Sequence, residues 1–518
     1  MPTFSSSRLR RFSSRLVLLA GVFGAVASCT DLKETPVDAL TPDNAFKNDG
    51  EILAGAASVY AQLRQTMWAY YNLSEISTDE QVVPTRGNDW FDNGRWIEIY
   101  RQNWAPNSGS ALDDMNGLWN NMFAGVAKAN LMIDVVEKSA SPTKDAGLAE
   151  LKVLRAWFYY VLMDMFGGVP LVTTTEVEPV ARSSRDEIFK FIEAELKAAI
   201  PNLPETPPQY GRVGKHAANA ILANMYLNAR VFQGTVTAAG LQPAAARYAE
   251  AITYADAVLN SGKYTLASNY LSNFTPDNDG SPENIFVINH TANPPGLGMS
   301  LPQRTLHYNQ HGVGGGPWNG FATIAETYQK YDAADLRRQV WLEGQQKSFV
   351  TGANVTDRAG APLIFTTTIG NINSAAENEG VRLNKFPPLV TAPNGDSHPN
   401  DFPYFRLAEM YMIKAEALNE QGQTAQAIGL LNTLRARAFN PAKPLNTGMS
   451  QAEARDAILN ERLFEFAGEG KRRQDLIRFG KFTDARQFKT ATQGYKILFP
   501  VPSTQIQNNP LLTQNAGY

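Results

Sequence analysis

The stretch LAEMYMIKAEALNEQGQTAQAIGLLNTL, residues 407–434, decides the fold. On both sides of Gly422, apolar and small residues recur every three to four positions, which is the spacing of one buried helix face. These positions are Tyr411, Ala415, Leu418, Ala427, Leu431 and Leu434. Alanine at such positions lets two helices approach to about 8–10 Å. The stretch therefore predicts two packed helices joined by a turn at Gly422.

A second stretch, residues 217–259, has the same order of positions. They are Ala223, Tyr226, Ala251, Ala255 and Val258, with an insertion at about residues 231–243. Both stretches resemble the tetratricopeptide helix pair. One pair alone buries too little surface, so several pairs must stack. The predicted fold is mainly α, a solenoid of tetratricopeptide-like helix pairs.

The helical spacing largely fails between residues 262 and 403, apart from a piece near 321–331. There Gly, Asn and Pro punctuate short β-like runs at 284–289 and 363–368. We expect a loop-rich region with short β-hairpins laid over the helical scaffold. Further helices are predicted at residues 49–67, 185–200, 451–467 and 471–479.

The N-terminus resembles a bacterial export signal. Four arginines precede the apolar stretch Leu16–Ala27, which is shorter than the roughly 20 residues that a membrane span needs. Val26-Ala27-Ser28-Cys29 resembles a lipobox, after which the signal is cut and the cysteine carries lipid. We predict a signal peptide at 1–28, a lipidated tether at 29–48 and lipidation of Cys29, the single cysteine among 518 residues. The alternative is a plain signal peptide with an unmodified Cys29.

Composition and motifs give no sign of catalysis or of nucleic-acid, phosphate or metal binding. A formal net charge of −3 provides no strongly basic surface for nucleic acid. No Gly-x-Ser-x-Gly elbow is present, and the glycines at 312–316 are followed by Pro317 and Trp318, not by the residues of a phosphate loop. His307 and His311 are four residues apart, but their Gly-rich context disfavours a helical metal site. We predict no catalytic residue, no metal and no cofactor.

A cluster of charged residues near the C-terminus has helical spacing. Its members are Glu461, Arg462, Glu465, Glu469, Lys471, Arg472, Arg473 and Asp475. Ion pairs between neighbouring turns and helix caps explain such spacing without an active site. We therefore expect a local, structural role for these charges.

Aromatic residues crowd a segment without helical spacing, residues 70–106. Trp90, Phe91, Trp96, Tyr100 and Trp104 lie there among Asn, Asp, Gly and Arg. Long ordered loops commonly serve binding or catalysis. This segment is therefore a candidate recognition loop.

Several segments resemble the SusD/RagB family. They are LRAWFYY at 154–160, FGGVPLV at 166–172, FRLAE at 405–409 with KAEALN at 414–419, ER at 461–462 with EGKRRQDL at 469–476, and LFPVP at 498–502 with NPLLTQNAGY at 509–518. With the lipobox and the helix pairs, the resemblance spans the whole chain. It implies a SusD-like α-solenoid, with an N-terminal helical part at 49–261 and a C-terminal part at 262–518 that contains the loop-rich insert and the last tetratricopeptide-like helices.

The resemblance also implies a function. Members are non-catalytic lipoproteins on the outer-membrane surface, where they form a hinged lid over a SusC-like TonB-dependent barrel. They bind glycan and deliver it for nutrient uptake, with the tetratricopeptide-like side against the barrel and the loops against the ligand. The alternatives are a peptide-binding lid of the same type, a surface polysaccharide hydrolase, and a scaffold that holds another protein.

A glycan site needs exposed rings that stack on sugar faces and polar groups that bond to hydroxyls. Residues 90–96 and 316–319 offer both. The predicted ligand-binding residues are Trp90, Trp96, Trp318, Trp68, Tyr71, Asp92, Arg95 and Asn319. For each ring taken singly, packing in the core is the competing interpretation, and for Trp104 and Trp341 we expect packing.

Overall fold

A computed structural model describes residues 48–107, 109–314 and 316–518. The predicted signal peptide, Cys29 and almost all of the predicted tether lie outside these residues. From Asp49 to Tyr518 the chain forms one compact unit. The boundary that we predict at residues 261 and 262 stays a prediction.

Helices dominate the described residues, which contain fifteen α-helices. They are α1 (Asp49–Tyr71), α2 (Arg95–Arg101), α3 (Leu112–Lys138), α4 (Lys144–Phe166), α5 (Arg185–Ala199), α6 (Lys215–Leu227), α7 (Ala229–Phe232), α8 (Tyr248–Leu259), α9 (Leu301–Thr305), α10 (Ala325–Tyr328), α11 (Leu407–Glu420), α12 (Thr424–Ala438), α13 (Gln451–Phe466), α14 (Arg472–Arg478) and α15 (Ser503–Asn508).

The described residues also contain eight short strands, which pair in twos. They are β1 (Thr235–Thr237), β2 (Gly240–Gln242), β3 (Asn284–Ile288), β4 (Trp341–Leu342), β5 (Gly344–Gln345), β6 (Ile364–Phe365), β7 (Arg382–Leu383) and β8 (Phe402–Arg406). The antiparallel pairs are β1 with β2, β3 with β8, β4 with β7 and β5 with β6. The mainly helical fold with short β elements is confirmed.

The predicted helix pairs are present. Helices α11 and α12 pack on each other, and Gly422 between them adopts the left-handed conformation (φ 80°) that a tight turn requires. Their facing alanines, including Ala415 and Ala427, are fully buried. Helices α6 and α8 form the second pair, and the insertion between them contains the β1–β2 hairpin. Because α8 also packs on α11, the two pairs stack as a solenoid requires.

Capping boxes explain why two predicted helices begin where they do. Ser184 and Ser450 each accept a hydrogen bond from the backbone three residues on, and Glu187 and Glu453 reach back to the capping residue. The first helix is longer than predicted, since α1 continues to Tyr71 and is followed by a π-helix at Asn72–Ile76. All five residues of that π-helix are buried, so burial on every side removes the periodicity that marks a helix.

The local role that we expected for the C-terminal charge cluster is wrong. Glu465 and Glu469 are fully buried and their partners come from distant segments. Arg406 at the end of β8 donates to Glu465 Oε1 at 2.7 Å and to Glu469 at 2.8 Å, while Arg337 lies 3.1 Å from Glu465. Lys385 completes the group through an ion pair with Glu469. We call these five residues the buried charge cluster.

At Glu465, charge pairing outweighs the cost of burial. Burial alone would raise the pKa of Glu465, but Arg437, Arg406 and Arg337 hold that pKa well below its ordinary value. A sequence cannot distinguish such a cluster from surface ion pairs, because the charges have the same spacing in both cases.

Replacing Arg406 by Met should lower the free energy of unfolding by about 3–5 kcal/mol, because Glu465 and Glu469 would lose a buried partner. Urea unfolding measures the change. The matched control is Arg455→Met, which breaks a partly exposed pair with Glu420 and should cost less than about 1 kcal/mol. Equal effects of the two substitutions would contradict a central role for the cluster.

Candidate functional site: an aromatic surface on two loops

Two loops meet at the predicted site. Val82 and Ala322 exchange backbone hydrogen bonds of 2.8 and 2.9 Å, which joins the segment before Trp90 to the segment after Trp318. The second segment is held in turn by α9, whose Gln303 and Arg304 carbonyls accept from the backbone N–H groups of Trp318 and Gly320. The site therefore forms where the long N-terminal loop crosses the loop-rich region.

The backbone of the first loop is unusual. Trp90, Asp92 and Asn93 have φ values of 61°, 38° and 54°, and Asn319 in the second loop has 52°. The left-handed region is uncommon for residues other than glycine and is unusual for a bulky residue such as tryptophan. Such conformations persist where the surrounding structure fixes them, and they cluster at functional sites.

Trp90 is the centre of the aromatic group. Its Nε1 donates to the Trp318 carbonyl at 2.6 Å. Its ring centroid lies 5.2 Å from that of Trp96, 5.6 Å from that of Phe321 and 6.3 Å from that of Trp318. A side chain at Gly320 would place its Cβ 2.3 Å from the Trp90 ring, so only glycine leaves room for it.

The predicted site residues differ in exposure. Trp90 and Trp318 are half-buried, Asp92 is exposed, and Trp68 is 38% exposed. Trp96 is 2% exposed, and its Nε1 donates to Asp92 Oδ2 at 2.6 Å. The structure thus brings the Trp90 loop and Trp318 together, with Trp96 beneath them. Phe91, which we did not select, is 56% exposed beside them.

Two further predicted residues lie below the surface. The Tyr71 ring is 1% exposed and stacks against Phe321 at 6.2 Å, and its hydroxyl accepts from Gln81. Asn319 is fully buried, where its Oδ1 accepts from Arg382 at 2.9 Å and its amide donates to the Glu377 carbonyl at 3.0 Å. In this conformation both side chains support the surface rings from within.

Arg95 connects the loop to the helical core. Its Nε lies 2.5 Å from Asp114 Oδ2, and its guanidinium lies 4.9 Å from the Trp96 ring centroid. Burial alone would lower the pKa of Arg95, but hydrogen bonding to Asp114 outweighs burial and raises it. Asp114 is itself buried and also accepts from Asn72 at 3.0 Å.

The structure adds a polar group that sequence reasoning missed. Tyr308 donates to Asp89 Oδ2 at 2.5 Å, and the Arg358 guanidinium lies 4.2 Å from the Tyr308 ring centroid and 3.2 Å from Asp89. Glu377 pairs with Arg358 and lies 3.1 Å from His307 Nε2. Asp89 directly precedes Trp90, which is the one signal in the sequence that points to this group.

The other predictions about single residues can be placed. Trp104 and Trp341 are buried, as expected for packing residues, and Trp119 and Trp157 lie in the helical core. His307 and His311 have different neighbours, Glu377 and His398 respectively. Across 48–107, 109–314 and 316–518, no cluster of three or more His, Cys, Asp or Glu could hold a metal ion, and no helix is long and apolar enough to cross a membrane.

A helical solenoid that presents an aromatic surface on irregular loops defines a class of ligand-binding proteins. The chain belongs to the SusD family: residues 244–518 match the model described as SusD family. Residues 41–227 also match a model described as starch-binding associating with outer membrane. The predicted family resemblance is therefore confirmed.

Individual relatives match over almost the full length. The starch-binding protein SusD of Bacteroides thetaiotaomicron is 25% identical over 97% of this chain and 98% of the relative. The SusD-like protein P25 of Formosa agariphila is 24% identical over 95% of this chain and 97% of the relative. These relatives are named as binding proteins or after SusD, not as enzymes, in agreement with the prediction of a non-enzymatic protein.

Solved structures have the same fold. A SusD superfamily protein from Parabacteroides distasonis superposes with a TM-score of 0.74 at 22% identity, covering 93% of this chain and 100% of that structure. Surface glycan-binding protein A from Bacteroides thetaiotaomicron, solved with laminarihexaose, gives 0.71 at 21% identity, covering 91% and 100%. At this identity the likeness concerns the fold alone.

Replacing Gly320 by Ala should displace the Trp90 ring and lower the free energy of unfolding by about 1–3 kcal/mol, because the added Cβ overlaps the indole. Near-UV circular dichroism should report the change in ring packing, and urea unfolding the change in stability. Gly312→Ala is the matched control, since its Cβ would meet nothing within 4 Å. If both variants keep the wild-type spectrum, the Trp90 ring does not lie against Gly320.

Proposed function

We propose that the protein is a non-catalytic glycan-binding lipoprotein of the outer-membrane surface. The observation that carries this proposal is the pair of half-buried indole rings, Trp90 and Trp318, that two loops hold side by side. The faces of such rings stack on the C–H faces of sugars, and neighbouring polar groups bond to hydroxyls. Starch binding by one relative and laminarihexaose bound to a solved neighbour support this ligand class.

The geometry also suggests the shape of the ligand. The planes of Trp90 and Trp318 are inclined by 51°, so the two rings form a bent surface. A curved glycan chain fits a bent surface better than a flat, ribbon-like chain does. We propose direct contacts from Trp90, Trp318 and the exposed Phe91, and hydrogen bonds from Asp92. In this scheme Trp96, Tyr71 and Asn319 hold the surface rings in place, and Arg95 fixes the loop.

We also propose that the protein delivers its ligand to a SusC-like TonB-dependent barrel as a hinged lid. The tetratricopeptide-like helices α8, α11 and α12 would face the barrel, as the family resemblance implies. Lipid on Cys29 would keep the lid at the membrane while its body moves, and a lipid anchor of several acyl chains holds nearly permanently.

Replacing Trp90 and Trp318 together by Ala should weaken glycan binding at least tenfold, about 1.4 kcal/mol, because both stacking faces are lost. Affinity gel electrophoresis against a polysaccharide panel finds the ligand, and calorimetry measures the affinity. The control is Tyr210→Ala, which removes a ring that is also partly exposed (45%) but is not part of the site. Unchanged binding by the double variant would contradict the proposed site. Retention of peptides with no retention of any glycan would favour the peptide-binding alternative.

Replacing Cys29 by Ser should release an intact protein that still binds glycan but no longer supports uptake. Palmitate labelling and membrane fractionation follow the lipid, calorimetry follows binding, and growth on the bound glycan follows uptake. The wild-type chain expressed in the same strain is the control. Uptake that persists without lipid would mean that the barrel interface alone holds the lid.

A further inference from the structure

A small cavity beside Trp68 is separate from the Trp90 ring group. Its volume is about 120 Å³, room for about four waters at ~30 Å³ each or for one carboxylate or sulfate group with water. The residues that line it include Arg64, Trp68, His290, Ser300, Leu301 and Arg304. None of the described residues that line the cavity is acidic, although two are arginines.

Arg304 is the decisive residue of this cavity. It is 2% exposed, and its one side-chain hydrogen bond within the described residues runs from Nη1 to Asn72 Oδ1 at 3.2 Å. Its Nε has no partner there. A buried guanidinium without a carboxylate partner is costly, so such groups are usually paired.

The aromatic neighbours of Arg304 compensate only part of this cost. The guanidinium carbon lies 3.9 Å from the Trp68 ring centroid, 5.9 Å from that of Tyr71 and 6.0 Å from that of Phe321. Cation–π contacts at these distances are weaker than the penalty for an unpaired buried ion. Burial lowers the pKa of Arg304 to about 9, which leaves the group charged at neutral pH.

The acids whose charges act on the two arginines, Asp401 on Arg64 and Asp114 on Arg304, already have other partners. Asp114 is paired with Arg95 and accepts from Asn72. Asp401, whose charge acts on Arg64, accepts from the His290 backbone at 2.7 Å. Arg64 donates its Nε to the Asn289 carbonyl at 2.8 Å. Within the part of the chain that the structure describes, the two arginines of the cavity thus have no carboxylate among the lining residues and share the acids beyond it with other partners.

Resting on the proposed glycan-binding function, we propose that this cavity is an anionic subsite that receives a carboxylate or sulfate group of an acidic glycan. Arg64 and Arg304 supply the charge, Ser300 offers a hydroxyl, and the exposed part of Trp68 receives the sugar ring that bears the anion. Phe321 connects the subsite to the main aromatic surface, because its ring contacts Trp90 and also faces Arg304. The ligand class is therefore an acidic polysaccharide of which one charged substituent enters the cavity.

Calorimetry with three oligosaccharides of equal length tests the subsite: neutral laminarihexaose, a hexagalacturonate with carboxylates and a κ-carrageenan hexamer with sulfates. We expect at least one acidic oligosaccharide to bind tenfold or more tightly than the neutral one, with affinity that falls as salt rises. Comparing the two acidic probes shows whether the cavity receives a carboxylate or a sulfate group. Equal affinity for neutral and acidic probes would overturn the proposal.

Arg64→Gln should lower the preference for the acidic oligosaccharide about tenfold, and Arg304→Lys should lower it as well, because lysine keeps the charge but loses the planar fork. Arg455→Gln removes an arginine from α13, outside the cavity, and is the charge-matched control. Equal loss in Arg64→Gln and Arg455→Gln would overturn the subsite and indicate general electrostatic attraction. Circular dichroism checks the fold of each variant.

A thermal shift with sodium sulfate at constant ionic strength separates this inference from the proposed function. Stabilisation of the wild-type protein that is lost in Arg64→Gln would support the anion site even if no oligosaccharide binds. Binding of laminarihexaose that depends on Trp90 and Trp318, without any effect of sulfate or of acidic sugars, would overturn the subsite and leave the proposed function standing.

Discussion

The buried charge cluster is the interaction on which the rest of the structure depends. Arg406 ends β8, Glu465 lies near the end of α13, and Lys385 and Arg337 come from the loop-rich region. Once Arg406 is buried, the loss of either carboxylate partner destabilises the folded state strongly, because the remaining buried charges are no longer compensated. The cluster therefore has to form as a unit. Its formation fixes the irregular region, whose two-stranded sheets are too small to be stable alone, against the helical solenoid.

A continuous series of rings leads from this cluster to the surface. Phe402 at the start of β8 packs edge-on against Tyr71 at 6.3 Å, Tyr71 stacks on Phe321, and Phe321 packs on Trp90. The strand whose last residue is Arg406 thus also supports the base of the aromatic surface. Stability and ligand recognition share one element, so the orientation of the surface rings depends on core packing as well as on the loops.

The sequence predicts the features that follow a local pattern and misses the contacts between residues that are far apart in the chain. Apolar residues that recur with a period of 3.6 reveal the helix pairs, and the density of tryptophan reveals the aromatic segment at 90–96. Asp89 beside Trp90 is the one member of the group of Asp89, Tyr308, Arg358 and Glu377 that the sequence points to. The other three leave no signal, because the group is spread over almost 290 residues and follows no spacing. For the same reason sequence reasoning could not distinguish exposed rings from supporting ones: Trp90 lies in the loop and Trp96 at the start of α2, and only Trp90 has substantial exposure.

The strained conformation of the recognition loop has a physical explanation in these contacts. Trp90, Asp92 and Asn93 have left-handed φ, each costing of the order of 1–3 kcal/mol, and would relax in an isolated loop. Here the Trp318 carbonyl and the space above Gly320 fix the Trp90 indole, and the Asp92 carboxylate fixes that of Trp96, so relaxation would break several contacts at once. A surface that is rigid before the ligand arrives loses little conformational entropy on binding. If the protein works as a lid, these contacts favour a movement of the whole body over a rearrangement of the Trp90 and Trp96 rings.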